Sequence, residues 1–236
     1  MSMSQELRLP DRLRASEFFD SGHPAVVEFA RSATAGATTL RDEAVRLYYA
    51  VRDQIKYNVY GNRLERPAMR ASAVLARRSG FCIHKSILMV AACRARGIPS
   101  RIALADVRNH IGSKRLLDLL GGDLFRFHAY AELELDGRWI QATPVFNRSL
   151  CATFGVEPLE FDGVNDAVLQ HYQADGSHTR LAFVHDHGRF DEFPYDLVVP
   201  GLVAHYPRLF GSGPQAPAGD LATEIAGDRT HRAVAP

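Results

Sequence analysis

With 236 residues, 46 % of them hydrophobic and 23 % charged, the chain can bury a full core, and one domain with an elaboration is favoured over two equal ones. A formal charge of +1 gives no electrostatic case for nucleic acid or an acidic membrane surface as partner. Three cysteines without close spacing exclude a disulfide scaffold and fit a reducing cytoplasm. The stretch from Met1 to Phe19 lacks the apolar core of a signal peptide. The longest unbroken apolar run, Ile87 to Cys93, falls far short of the ~20 residues that span a bilayer. The expectation is a soluble cytoplasmic protein.

In chain order, Leu40, Ala44, Leu47, Tyr48, Val51 and Ile55 recur at helix spacing, with Thr39 as N-cap and Asp42 and Glu43 in the first turn. A shorter helix is predicted over Ala71 to Arg78. A longer one follows within Ser79 to Pro99, where Gly97 and Pro99 stop an apolar run that begins at Ile83. Arg101 to Val107 reads as a strand. The connection from Asn109 to Asp123 holds a short helix, Lys114 to Leu120, and a flexible Gly121-Gly122 exit. It suits either a lid or an ordinary surface connection.

Arg126 to Leu135 alternates as a strand, followed by the turn dipeptide Asp136-Gly137 and a second strand from Arg138 to Thr143. His128, Tyr130, Glu132 and Glu134 share one face of the first strand. A two-residue turn sets Leu135 opposite Arg138 and Thr143 opposite Tyr130, which makes Thr143 a diagonal neighbour of His128. A three-residue loop would shift that register by one. Beyond Asn147 the pattern loosens, with short strands predicted at Leu181 to His185 and Asp196 to Val199. Gly211 to Pro236 has no apolar periodicity and reads as a disordered tail.

Two residues carry chemistry. Cys82 falls in the first turn of its helix, where unpaired N–H groups and the helix dipole favour an anion and can receive an oxyanion. His128 is an imidazole able to take the thiol proton. His84 and Lys85, in the first turn beside the thiol, read as polar residues on the helix's open side; alternatively Lys85, with Arg77 and Arg78, raises the local potential and helps hold thiolate. Cys93 and Cys151 read as apolar filler. Cys82, His84, His110 and His128, or His185, Asp186 and His187, can also be drawn as metal sets. The spacing lacks the tight ligand pairs of zinc sites, so no metal and no cofactor is assigned.

Four ordered blocks, VRDQIKYNVYG (Val51 to Gly61), RASAVLARRSGFC (Arg70 to Cys82), RARGIPSR (Arg94 to Arg101) and HAYAELELDGRW (His128 to Trp139), resemble the transglutaminase-like superfamily of papain-type cysteine enzymes. The resemblance covers roughly residues 40–147, with 148–210 an elaboration of one domain spanning 1–210. It implies an α+β, papain-like fold in which an N-terminal helical lobe carries the nucleophile helix against an antiparallel sheet. It further implies Cys82 as nucleophile, His128 as general base and then acid, and a second oxyanion donor from the segment Tyr57 to Tyr60.

The implied reaction passes through an acyl-thioester on Cys82, formed from a peptide or protein amide. Hydrolysis or transfer completes it, and a peptidase or amidase is favoured over a cross-linking enzyme. The departure from the family pattern is Thr143, which precedes Pro144 in WIQATPVFN where relatives carry Asp before Pro. A hydroxyl can fix an imidazole tautomer but cannot stabilise imidazolium. Three outcomes stay open: Thr143 serves as a neutral orienter, Asp162 folds back into the place, or turnover is lost and a binding module remains; Asn147 is a weaker stand-in. Tyr130, Phe161 and Asp162 are the expected substrate wall, and oligomeric state is not legible.

Overall fold

The computed structural model describes residues 11–61, 63–109, 113–168, 181–211 and 218–233. Helices α1 (Pro24–Ala33) and α2 (Leu40–Gln54) lead to a two-residue strand β1 (Lys56–Tyr57), then α3 (Arg66–Met69), α4 (Ala71–Arg77), β2 (Ser79–Gly80) and the long helix α5 (Cys82–Ala95). After β3 (Ser100–Asn109) come α6 (Lys114–Leu120), the hairpin β4 (Leu124–Leu135) and β5 (Arg138–Ala142), α7 (Arg148–Phe154) and β6 (Leu181–Phe190). Helices α8 (Tyr195–His205), α9 (Pro207–Phe210) and α10 (Leu221–Ala233) close the described chain.

Helix α2 starts as its sequence requires: Thr39 accepts the Asp42 N–H at 3.1 Å, and the stripe Ala44, Leu47, Tyr48, Val51 is buried. Helix α5 is different, because every residue from Cys82 to Arg94 is buried. Such a helix has no solvent face, and its polar side chains must find partners inside. Lys85 Nζ donates to the Arg52 and Ile55 carbonyls at 2.8 and 2.7 Å, groups left open where α2 ends. Arg94 donates to the carbonyls of Arg14, Ser100 and Asp191 at 2.7 to 3.2 Å. These bonds join the helical lobe to the sheet.

The main sheet is antiparallel, in the order β5-β4-β3-β6. The hairpin register runs from Leu135↔Arg138 to Ala131↔Ala142. Asp136 and Gly137 both have positive φ, 52° and 73°, the combination that a two-residue turn needs to follow the strand twist. One sheet face, with Ile102, Leu104, Ala129, Ala131 and Leu133, merges with the helical core, while Ala103, Ala105, Val107 and Tyr130 form a smaller cluster. The fold is thus α+β, with α5 packed between a helical lobe and an antiparallel sheet.

Two expectations are corrected. Asp196 to Val199 is part of helix α8, where Val198 and Leu202, four residues apart, are buried together; packing overrides the β preference of Val198-Val199. Within the supposed disordered tail, 221–233 is helix α10, tied down by Glu224. That carboxylate accepts from Tyr60 Oη at 2.6 Å, Ser113 Oγ at 2.8 Å and Arg115 Nη1 at 2.6 Å. Of the rest of the tail, 212–217 and 234–236 lie outside the described residues. No described helix is long and apolar enough to cross a membrane.

Candidate active site

Strand β1 pairs in parallel with β2, Tyr57 opposite Gly80, and the Asn58 N–H bonds to the Gly80 carbonyl at 3.1 Å. This short ladder feeds directly into α5. Only a glycine fits at position 80, because a Cβ there would stand 2.5 Å from the Cβ of His84. Phe81 takes the N-cap position without a side-chain bond, and Cys82 is the first helical residue.

The sheet leaves a gap for that residue. With a two-residue turn, Leu135, Leu133 and Ala131 direct their backbone groups toward β5, and the alternation sends those of Ala129 the same way. Strand β5 ends at Ala142, and Pro144, which stands where the next partner would be, has no N–H. The chain turns off instead, with the Thr143 N–H on the Ala167 carbonyl at 2.9 Å. Helix α5 fills the vacated edge: Ser86 Oγ donates to the Ala129 carbonyl at 3.0 Å, and the Ala129 N–H lies near enough to the Cys82 sulfur to favour its anion. The sulfur therefore lies near the Ala129 N–H, one residue past His128.

Burial dominates the electrostatics. Cys82 retains 9 % and His128 8 % of its surface. Desolvation pushes the thiol up to about 11, against the favourable N–H groups of Ala129, Ile83 and Cys82 itself. It also pushes the imidazole down to about 4. At neutral pH both groups rest uncharged. His128 Nε2 and Thr143 Oγ1 are buried without hydrogen-bond partners, so the threonine hydroxyl does not bond the imidazole here. The Thr143 carbonyl accepts from Tyr48 Oη at 3.2 Å.

Two phenols stand near the sulfur, since charge on Cys82 raises both Tyr57 and Tyr206. Tyr206 Oη donates to the Leu124 carbonyl at 2.9 Å and accepts the Arg126 N–H at 2.7 Å, and Phe210 lies 5.5 Å from Phe81, ring to ring. The α8–α9 segment thus roofs the start of α5. No pattern in the sequence marked it.

Residues 27–144, half of the chain, match the Transglutaminase-like superfamily. The chain belongs to the transglutaminase-like superfamily. No curated protein matches it. Among solved structures it is similar to a protein from Cytophaga hutchinsonii assigned as a cysteine protease, with 16 % identity, a TM-score of 0.45, and coverage of 76 % of this chain and 53 % of that one. It is also similar to a protein from Parabacteroides distasonis ATCC 8503 assigned as a protease, with 14 % identity, a TM-score of 0.36, and coverage of 56 % of this chain and 24 % of the other. The chain spans about half the length of the first and a quarter of the second.

Within this superfamily chain the remaining expected site residues separate. Asp162 does not fold back: it accepts the N–H groups of Val164 and Asn165, both at 2.8 Å, in an exposed turn. Phe161 is buried against Tyr48, ring centroids 5.0 Å apart. Tyr130 is buried in the smaller cluster with Ala103 and Ala105, beside Arg189 at 3.4 Å. Asn147 is engaged elsewhere, accepting the Tyr57 N–H at 2.6 Å and donating to the carbonyls of Arg52 and Ile55. His84 and Lys85 are wholly buried rather than on an open side, and Lys85 serves the end of α2 rather than the thiol.

The expected short helix between strands is α6, begun by Ser113, whose Oγ accepts the Leu116 N–H at 3.0 Å. Residues 110–112, and with them His110, lie outside the described residues. Among the described residues no three His, Cys, Asp or Glu side chains are grouped to hold a metal. His187 Nε2 instead lies 2.6 Å from Asp106 Oδ1, a contact that the paired histidines in sequence did not disclose.

Proposed function

We propose that this superfamily member is a cysteine-dependent amide hydrolase or acyl transferase acting on peptide or protein amides. The observation that carries the reading is the Cys82 thiol at the start of a buried helix, close enough to the Ala129 N–H, one residue past His128, for that group to favour its anion. In this reading His128 takes the thiol proton as the sulfur attacks the carbonyl, because both groups rest neutral and no thiolate stands preformed. The first-turn N–H groups of α5 receive the oxyanion, and the Tyr57 hydroxyl is the candidate second donor from the segment Tyr57 to Tyr60. His128 returns its proton to the leaving amine. Water or a second amine then releases the acyl group from Cys82.

One observation favours a second reading, a binding module without turnover. Among the described residues no carboxylate forms an ion pair or hydrogen bond with His128, and burial depresses its imidazole to about 4. Alkylation separates the two. Iodoacetamide is expected to modify Cys82 well ahead of Cys93 and Cys151, both fully buried, and His128→Ala is expected to slow Cys82 by about 100-fold or more, the usual contribution of a general base being about 100- to 10,000-fold. Equal, slow labelling of all three thiols would favour the binding module.

A further inference from the structure

The strand that carries His128 is irregular immediately before it. Ala105 pairs with His128 and Val107 with Phe125, so one residue of β3, Asp106, stands opposite two of β4, Arg126 and Phe127. This is a β-bulge, a device that re-aims the side chain beside it. Phe127 has φ +55°, a left-handed conformation that an aromatic L-residue adopts only when its surroundings impose it.

The imposing group is Asp106, whose side chain is 4 % exposed. Its Oδ1 accepts the Phe127 N–H at 3.1 Å and lies 2.6 Å from His187 Nε2, and its Oδ2 accepts from Arg126 Nη1 at 2.9 Å. The Phe127 ring is fixed as well. It stacks on His187 with centroids 4.5 Å apart, and Gly201 of α8 approaches so closely that a Cβ there would stand 2.5 Å from the ring. Backbone and side chain of the residue before His128 are thus held by one carboxylate and the ring that it binds.

We propose that Asp106 is the positioning residue for His128, acting through the Phe127 backbone rather than through the imidazole. It would aim the base in a site whose usual carboxylate position is occupied by Thr143. The inference rests on His128 being the base, and the test keeps the two apart. Iodoacetamide labelling of Cys82 is measured in the full chain for the unaltered protein, D106A, H128A and D106A/H128A, with circular dichroism to verify folding.

D106A is expected to slow labelling by about 10- to 100-fold, the effect of misplacing a reacting group by an ångström, and to add nothing in the H128A background. D106N, which keeps an acceptor for the Phe127 N–H and covers the event that D106A does not fold, is expected to lose less, and that loss too should vanish with H128A. Labelling of either folded aspartate variant at the unaltered rate, or an equal slowing with and without His128, overturns the proposal. Should H128A slow Cys82 while D106A does not, only the positioning role fails; should Cys82 label no faster than Cys93 and Cys151, the Cys–His reading itself fails.

Discussion

Chemical denaturation at stepped pH is expected to show a steep loss of stability below pH 6.5. Burial lowers His128 to about 4 and His84 to about 3, from an ordinary value of 6.5. Both are bases buried in the neutral form, so between those values the unfolded chain binds more protons than the folded one. Their stabilising contribution is fully present above pH 6.5. It is lost as pH falls, through about 4 for His128 and about 3 for His84. At about 1.4 kcal/mol per pH unit for each group, the totals are about 3 and about 5 kcal/mol. Set against a usual stability of about 5 to 15 kcal/mol, the combined loss near pH 3 to 4 is a large share of the whole.

The variant His84→Phe isolates the larger part. It keeps the ring against Phe81, 4.7 Å away centroid to centroid, and removes the titration. Near pH 5 the slope of stability with pH should fall by about 1.4 kcal/mol per unit, one proton fewer. A slope unchanged by the substitution would mean that His84 is already protonated in the folded protein.

Gly80→Ala is the second substitution with a large expected effect. The obstacle is space rather than backbone conformation: the new methyl would meet the Cβ of His84 at 2.5 Å and its Cγ at 3.1 Å. A Cβ cannot rotate away, so α5 itself must shift relative to β2, and Cys82 shifts with it. Overpacking of this kind destabilises by about 1 to 3 kcal/mol, a few degrees in Tm for a chain of this size. The reactivity change should be larger, because an ångström of misplacement costs about 100-fold. Gly22→Ala, with nothing within 4 Å of the added methyl, serves as control and should leave both unchanged. Labelling of Cys82 in Gly80→Ala at the unaltered rate would show that the start of α5 does not need its present seat.

Local signals were legible where local physics decides them. Thr39, Asp42 and Glu43 announced the start of α2, and Asp136-Gly137 pointed to the hairpin, whose two-residue register, one of two left open, is the one the structure shows from Leu135↔Arg138 onward. The order of the Cys82, Gly97-Ile98-Pro99 and His128 blocks carried the superfamily. What escaped depends on contacts between distant segments. An aromatic residue gives no sign that it will be left-handed, so the Phe127 bulge and the part of Asp106 in it were hidden. His84 and Lys85 read as solvent-facing because polar residues usually are, whereas α5 is enclosed on all sides and Lys85 finds its partners on α2. Asp162 was drawn toward His128 only by the lack of another acid, and its own turn claims it. The roof formed by Tyr206 and Phe210 and the anchoring of α10 through Glu224 arise from residues outside the matched 27–144 region.

The most direct test of the account is to offer an activated acyl ester, p-nitrophenyl acetate, and locate the transferred acetyl group by peptide mass spectrometry after a brief acid quench. The account predicts an acetyl thioester on Cys82, absent from Cys93 and Cys151, with its formation strongly slowed in His128→Ala. Acetyl spread over surface lysines with none on Cys82, or the same Cys82 adduct formed at the same rate without His128, would contradict it.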